Sequence, residues 1–115
     1  MVIGLDCLSP QLVFERWLDQ LPVIKRIVQN SIYGPLRSCI PPITVPAWAC
    51  MTTGKDPGTL GIYGFRNRQD HSYDGLTMVT SLSVKEERVW DILSRTGRKV
   101  IALGVPQTYP PQPLN

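Results

Sequence analysis

Eleven prolines in 115 residues set the strongest limit on how this chain can fold. One group stands near the middle of the chain, at Pro41, Pro42 and Pro46, and a second group lies in the last twelve residues, 104–115. Proline lacks a main-chain N–H and has a fixed φ, so it ends strands and interrupts helices except in their first turn. The sequence therefore predicts short elements between the two groups and no regular element at the end.

Between the prolines, four segments have helical character and three are strand-like. The helical segments are 9–20, 22–30, 44–53 and 86–95, and the third has Pro46 in its first turn and Gly54 at its end. The strand-like segments are 2–6, 36–40 and 99–103. Residues 55–83 show no long periodic segment and are expected to form a loop, with Tyr63, Phe65 and Tyr73 available to anchor it.

The alternation of strands and helices predicts an α/β fold, a parallel sheet with flanking helices, in a single domain over residues 1–115. Both faces of a parallel sheet are normally covered by helices, and a sheet of three strands here would leave one edge and one face exposed to solvent. We therefore expect the chain to be the N-terminal part of a larger domain, with exposed apolar surface that allows self-association.

Charge and cysteine content narrow the functional classes. The net charge of +3 comes from scattered basic residues, so no nucleic-acid partner is expected. No apolar run is long enough to cross a membrane, and the first residues lack the basic and apolar regions of a signal peptide. We therefore expect a cytoplasmic protein without a membrane partner. Cys7, Cys39 and Cys50 lack metal-site spacing and are interpreted as buried free thiols.

Two residues could carry chemistry. Asp6 follows the first predicted strand, and Thr44 stands at the start of a predicted helix. In a parallel sheet such positions meet in one crevice, where the helix N-terminus favours an anionic ligand and a lower hydroxyl pKa, and a metal held by Asp6 would strengthen both effects. Two structural alternatives stay open, an ordinary helix cap at Thr44 and an Asx-turn acceptor at Asp6.

Several motifs, in order along the chain, resemble the type I phosphodiesterase and nucleotide pyrophosphatase family of the alkaline phosphatase superfamily. They are PPITVPAW at 41–48, MTTGKDPG at 51–58 and GIYGF at 61–65, supported by VIGLD at 2–6, Leu21-Pro22, and Val105-Pro106 with TYPP at 108–111. The resemblance covers nearly the whole chain. It implies the N-terminal portion of an alkaline-phosphatase-like domain.

The resemblance also implies a phosphoryl-transfer hydrolase with two divalent metal ions, usually zinc. Asp6 would be a metal ligand, and Thr44 would be both a metal ligand and the nucleophile that forms a covalent intermediate on a small phosphate-ester substrate. A sulfatase is disfavoured, because the position of the modified cysteine in sulfatases is Thr44 here. Relatives often have His-Gly-Ile where this chain has Leu60-Gly61-Ile62.

Most metal ligands of the family lie beyond the length of this chain, and its one histidine, His71, is interpreted as a solvated loop residue. The chain alone is therefore expected to be inactive, although the full-length protein would be a phosphodiesterase or nucleotide pyrophosphatase. The alternative is a truncated, non-catalytic binding or interaction module.

Overall fold

The computed structural model describes residues 1–70 and 72–115, and His71 lies outside the described residues. The chain divides into two compact units, Met1–Arg37 and Ser38–Asn115.

The first unit contains three short helical segments. A π-helix spans Gln11–Arg16, a 3-10 helix spans Leu18–Gln20, and helix α1 spans Pro22–Gln29. Proline stands immediately before the π-helix and at the first position of α1, where a missing N–H breaks no helical hydrogen bond. Val13 is buried, and the rings of Phe14 and Tyr33 lie 5.1 Å apart. The helix predicted for 9–20 is present as two shorter helical segments. The helix predicted for 22–30 is confirmed.

The second unit carries most of the regular structure. Helices α2, α3 and α4 span Thr44–Thr53, Pro57–Leu60 and Val89–Arg95, and a 3-10 helix spans Ser81–Ser83. Strands β1 (Arg66–Arg68) and β2 (Leu76–Met78) pair antiparallel, with Asn67 opposite Thr77. Residues 55–70 and 72–83 are therefore more ordered than the predicted loop.

A small core holds α2 against the chain that follows it. Its buried members are Val45, Ala49, Leu60 and Ile62, and Cys50, Val79 and Val84 pack against them. Ile62 is fully buried, whereas the aromatic side chains expected to anchor this region, Tyr63, Phe65 and Tyr73, are exposed.

The proline-rich end of the chain is attached to the 3-10 helix and α4. The main-chain N–H of Ser81 donates to the carbonyl of Tyr109 at 2.9 Å, and the Ser81 hydroxyl donates to that of Pro110 at 2.6 Å. At the end of the chain, the Asn115 N–H donates to the Ser94 hydroxyl oxygen at 2.6 Å. Proline cannot donate but its carbonyl still accepts, so this segment is fixed without being a strand or a helix.

The predicted parallel sheet with flanking helices, and with it the alkaline-phosphatase-like architecture, is wrong for this chain. Within residues 1–70 and 72–115 the only sheet is the antiparallel β1–β2 pair. The segments 2–6, 36–40 and 99–103 have no strand structure, and Val2, Leu36 and Ile101 are 86%, 91% and 94% exposed. A strand exists through hydrogen bonds to a neighbouring strand, and an apolar run by itself does not supply that neighbour.

Candidate active site

Thr44 is the first residue of α2, as the sequence predicts. The preceding Ile43 is extended, with φ −112° and ψ 148°, and its carbonyl accepts the first helical bond, from the Ala47 N–H at 3.0 Å. Pro46 is in the first turn and is fully buried. Thr44 itself is half-buried, at the positive end of the dipole of a ten-residue helix.

The position of Thr44 is fixed by the residues that follow it. Val45 and Ala49 are one helical turn apart and both enter the core, so the face of α2 next to Thr44 is anchored. Gly54 ends the helix in the left-handed conformation, with φ 70°, and its N–H donates to the Cys50 carbonyl at 2.8 Å. This end was also predicted correctly.

Trp48 lies one helical turn after Thr44 and is half-buried. Residues four apart on a helix share a face, so the indole lies on the same side of α2 as the hydroxyl. At the position where relatives often have histidine, Leu60 is buried in the core beside Ile62. That position therefore has a packing role in this chain.

Asp6 lies in the first unit, and its side chain is exposed. It stands in a turn with Cys7, which has a positive φ of 59°, and the Cys7 thiol is 3.7 Å from its Oδ2. The sheet edge expected to bring Asp6 towards Thr44 does not form. Thr44 belongs to the second unit, and the convergence of the two side chains stays a prediction.

The described residues do not form a metal site on their own. No group of three or more His, Cys, Asp or Glu side chains among residues 1–70 and 72–115 is arranged to hold a metal ion. Catalytic zinc is usually held by three protein ligands. Asp6 and Thr44 could contribute oxygen donors, but the remaining ligands are not gathered here.

The core side of α2 carries a thiol, Cys50, whose pKa is shifted by its surroundings. The half-buried Cys50 thiol lies within hydrogen-bonding reach of the Cys39 thiol. Burial, followed by the Cys39 thiol and the Asp56 carboxylate, raises the pKa of Cys50 from 9.0 to about 11. Asp56 caps α3: its Oδ1 accepts the Thr59 N–H at 3.0 Å and its Oδ2 accepts the Thr59 hydroxyl at 2.8 Å. Both bonds lower the pKa of Asp56.

Comparison with known proteins gives one match. The sequence model of a family described as type I phosphodiesterase / nucleotide pyrophosphatase matches residues 1–114. Neither the curated proteins nor the solved structures contain a match to this chain. Among the described residues, no helix combines the length and the apolar character needed to cross a membrane.

Proposed function

Because this chain belongs to the type I phosphodiesterase / nucleotide pyrophosphatase family, a family of hydrolases, we propose that Thr44 is the nucleophile of a phosphoryl-transfer hydrolase. The substrate class we propose is a small phosphate ester. The observation that carries the proposal is the position of Thr44 as the first residue of α2.

The first turn of a helix suits an anionic reacting group. The helix dipole places partial positive charge there. This charge favours a phosphoryl oxygen close to the Thr44 hydroxyl, and it favours the deprotonated form of that hydroxyl. The core contacts of Val45 and Ala49 hold the helix start in place.

The reaction we propose has two displacements. In the first, the Thr44 oxygen forms a bond to phosphorus, the bond from phosphorus to the leaving alcohol breaks, and the alcohol takes up the proton that the Thr44 hydroxyl loses. In the second, water attacks the phosphorus bound to Thr44, the bond from Thr44 to phosphorus breaks, and the proton that water loses restores the threonine hydroxyl. The Trp48 indole, on the same side of α2, is proposed to contact the organic part of the ester.

Metal dependence belongs to this proposal as well. Asp6 and Thr44 would each provide oxygen donors, and two divalent ions, zinc in the first instance, would stabilise negative charge on the phosphoryl group. Since the described residues gather no three-ligand cluster, we propose that the 115-residue chain alone has negligible turnover.

The test is hydrolysis of an aryl phosphodiester by the protein as its gene encodes it, with and without added zinc. Thr44→Ala should abolish turnover, whereas Thr44→Ser, which keeps the hydroxyl, should retain a measurable part of it. The trapped intermediate from this diester should carry, on Thr44, the phosphoryl group with its remaining ester group, identified by mass spectrometry. Full activity of Thr44→Ala would refute the nucleophile, and an inactive encoded protein that still folds would favour the binding-module alternative.

The 115-residue chain alone is the second arm of the same assay. Zinc-dependent turnover by the chain that disappears in Thr44→Ala would support the nucleophile and contradict the proposed inactivity. Asp6→Asn in the encoded protein tests the ligand assignment, because it should weaken zinc binding measured by equilibrium dialysis while leaving the helical circular dichroism unchanged.

A further inference from the structure

The second unit contains two half-buried thiols that lie next to each other. Cys39 precedes α2, outside the helices and strands, and Cys50 is on α2 itself. Each thiol is within hydrogen-bonding reach of the other. Both cysteines are free, and the proposed reaction uses neither of them. Two neighbouring thiols can lose two electrons together and become a disulfide, so the pair has a chemistry of its own.

Two hydrogen bonds to one carbonyl hold Cys39 near α2. The Cys39 thiol donates to the Pro41 carbonyl at 3.3 Å, and the Ile43 N–H donates to the same carbonyl at 2.9 Å. Ile43 is the N-cap residue of α2, and positions 43, 47 and 50 have the spacing of one helix face. The Cys39 thiol therefore approaches the face of α2 that carries Cys50, and this geometry does not depend on how either thiol ionises.

The two thiols differ in how firmly the fold holds them. Cys50 is in a helix and packs against the buried core of the second unit. Cys39 lies in an irregular segment, so its sulfur can move the short distance from hydrogen-bonding contact to a covalent bond. Burial raises the pKa of Cys50 to about 11, which makes this thiol a poor nucleophile at neutral pH. Cys39 is therefore the thiol that we expect to react first with an oxidant.

We propose that Cys39 and Cys50 form a reversible disulfide when the protein meets hydrogen peroxide. The Cys39 thiolate attacks one peroxide oxygen, the O–O bond breaks, and the departing hydroxide takes up the proton that the Cys39 thiol lost, which leaves a sulfenic acid. The Cys50 sulfur then attacks the Cys39 sulfur, the S–O bond breaks, and the departing hydroxide takes up the Cys50 proton. Two thiols and one peroxide thus give one disulfide and two molecules of water, and a dithiol reverses the change by exchange.

The disulfide closes a loop over residues 39–50, and this loop contains Thr44. It ties the segment that leads into Thr44 to the helix that Thr44 begins. A cross-link restricts the unfolded chain more than a native chain in which the thiols already lie in contact. Folding therefore favours the disulfide, and the disulfide favours the folded state by the same factor.

The first test is oxidation of the 115-residue chain by hydrogen peroxide at low protein concentration, with cross-links mapped by mass spectrometry. The expected product is a monomer joined from Cys39 to Cys50, with both thiols restored by dithiothreitol. Cys7→Ser is the matched control: Cys7 is exposed and belongs to the first unit, so this variant should form the same cross-link to the same extent. Adding Cys50→Ser to Cys7→Ser should leave a sulfenic acid on Cys39 that dimedone captures.

The second test measures whether the fold itself holds the thiols together, and it does not depend on any variant folding. The equilibrium constant for the Cys39–Cys50 disulfide is measured in glutathione redox buffers, for the wild-type chain in native buffer and in urea. Thiols held in contact should give a constant at least about tenfold higher in native buffer than in urea. An equal or lower constant overturns the proposal. Peroxide treatment that leaves the pair open, or that joins Cys7 or a second chain in its place, overturns it as well.

Discussion

Thr44 and Cys50 lie on the same helix, α2, but in environments that affect their ionisation in opposite ways. Thr44 stands at the half-buried start of the helix, where partial positive charge favours its anionic form. Cys50 packs against the core near Cys39 and Asp56, where burial and the neighbouring groups disfavour its thiolate. The same helix therefore carries the hydroxyl that we propose as the nucleophile and a thiol whose environment keeps it protonated.

Cys50 should be the slowest of the three thiols to react. A pKa of about 11 in place of 9.0 reduces the thiolate fraction at neutral pH about a hundredfold, and the thiolate is the nucleophile. Iodoacetamide at pH 8, with labelled sites counted by mass spectrometry, should modify the exposed Cys7 well before Cys50. Equal labelling rates for Cys7 and Cys50 in the folded chain would contradict this expectation.

The same shift affects stability. Because the folded state holds the Cys50 proton more tightly than the unfolded chain does, the stabilisation is complete below pH 9 and is lost as the pH rises through about 11. Urea unfolding of Cys50→Ala should therefore show a smaller loss of unfolding free energy over this pH range than the wild type does.

At the scale of elements, local signals predicted α1, α2 and α4, but they missed α3 and failed for the strands. Pro22 at the start of α1, and Pro46 and Gly54 at the two ends of α2, act within one turn of chain, so the sequence alone reveals their effect. The segments 2–6 and 99–103 have strand-like composition, but their pairing depends on distant residues. The β1–β2 pair was missed because its strands are three residues long and its exposed residues give no apolar pattern.

The difference between local and long-range signals also explains which parts of the candidate site could be predicted. The position of Thr44 at a helix start was predicted because the signals for that helix lie within the helix itself. The expected proximity of Thr44 to Asp6 required a parallel sheet, which involves distant residues. The burial of Arg88, which precedes α4 and is 6% exposed, was missed because Arg88 follows Lys85, Glu86 and Glu87, a charged run typical of a solvated surface.

The end of α2 provides a matched pair of glycine substitutions. Gly54 has φ +70° with no atom near an added Cβ, so Gly54→Ala should cost about 1–2 kcal/mol through backbone strain alone. Gly34 has the same open space without the positive φ, so Gly34→Ala should change the free energy of unfolding little. Chemical denaturation of both variants measures their free energies of unfolding. Equal losses in the two variants would contradict the argument from backbone strain at Gly54.

At the scale of the whole molecule, much apolar surface faces solvent. Ile32, Leu36, Ile101 and Leu103 are each about nine-tenths exposed or more. Contiguous apolar patches of a few hundred Å² favour association. We therefore propose self-association, and sedimentation velocity should show species larger than 12.9 kDa whose share grows with concentration. A monodisperse monomer at high concentration that binds no hydrophobic dye would be the contrary result.

The bond between the Ser81 hydroxyl and the Pro110 carbonyl joins residues 29 positions apart. The hydrogen bonds of α4 span three or four positions and form as soon as one turn is in place. Closing a long loop removes chain entropy before any contact compensates for it. During folding, α4 can thus form from its own residues, while the proline-rich segment must find the 3-10 helix across the intervening chain. We therefore expect that segment to attach to the 3-10 helix after α4 has formed.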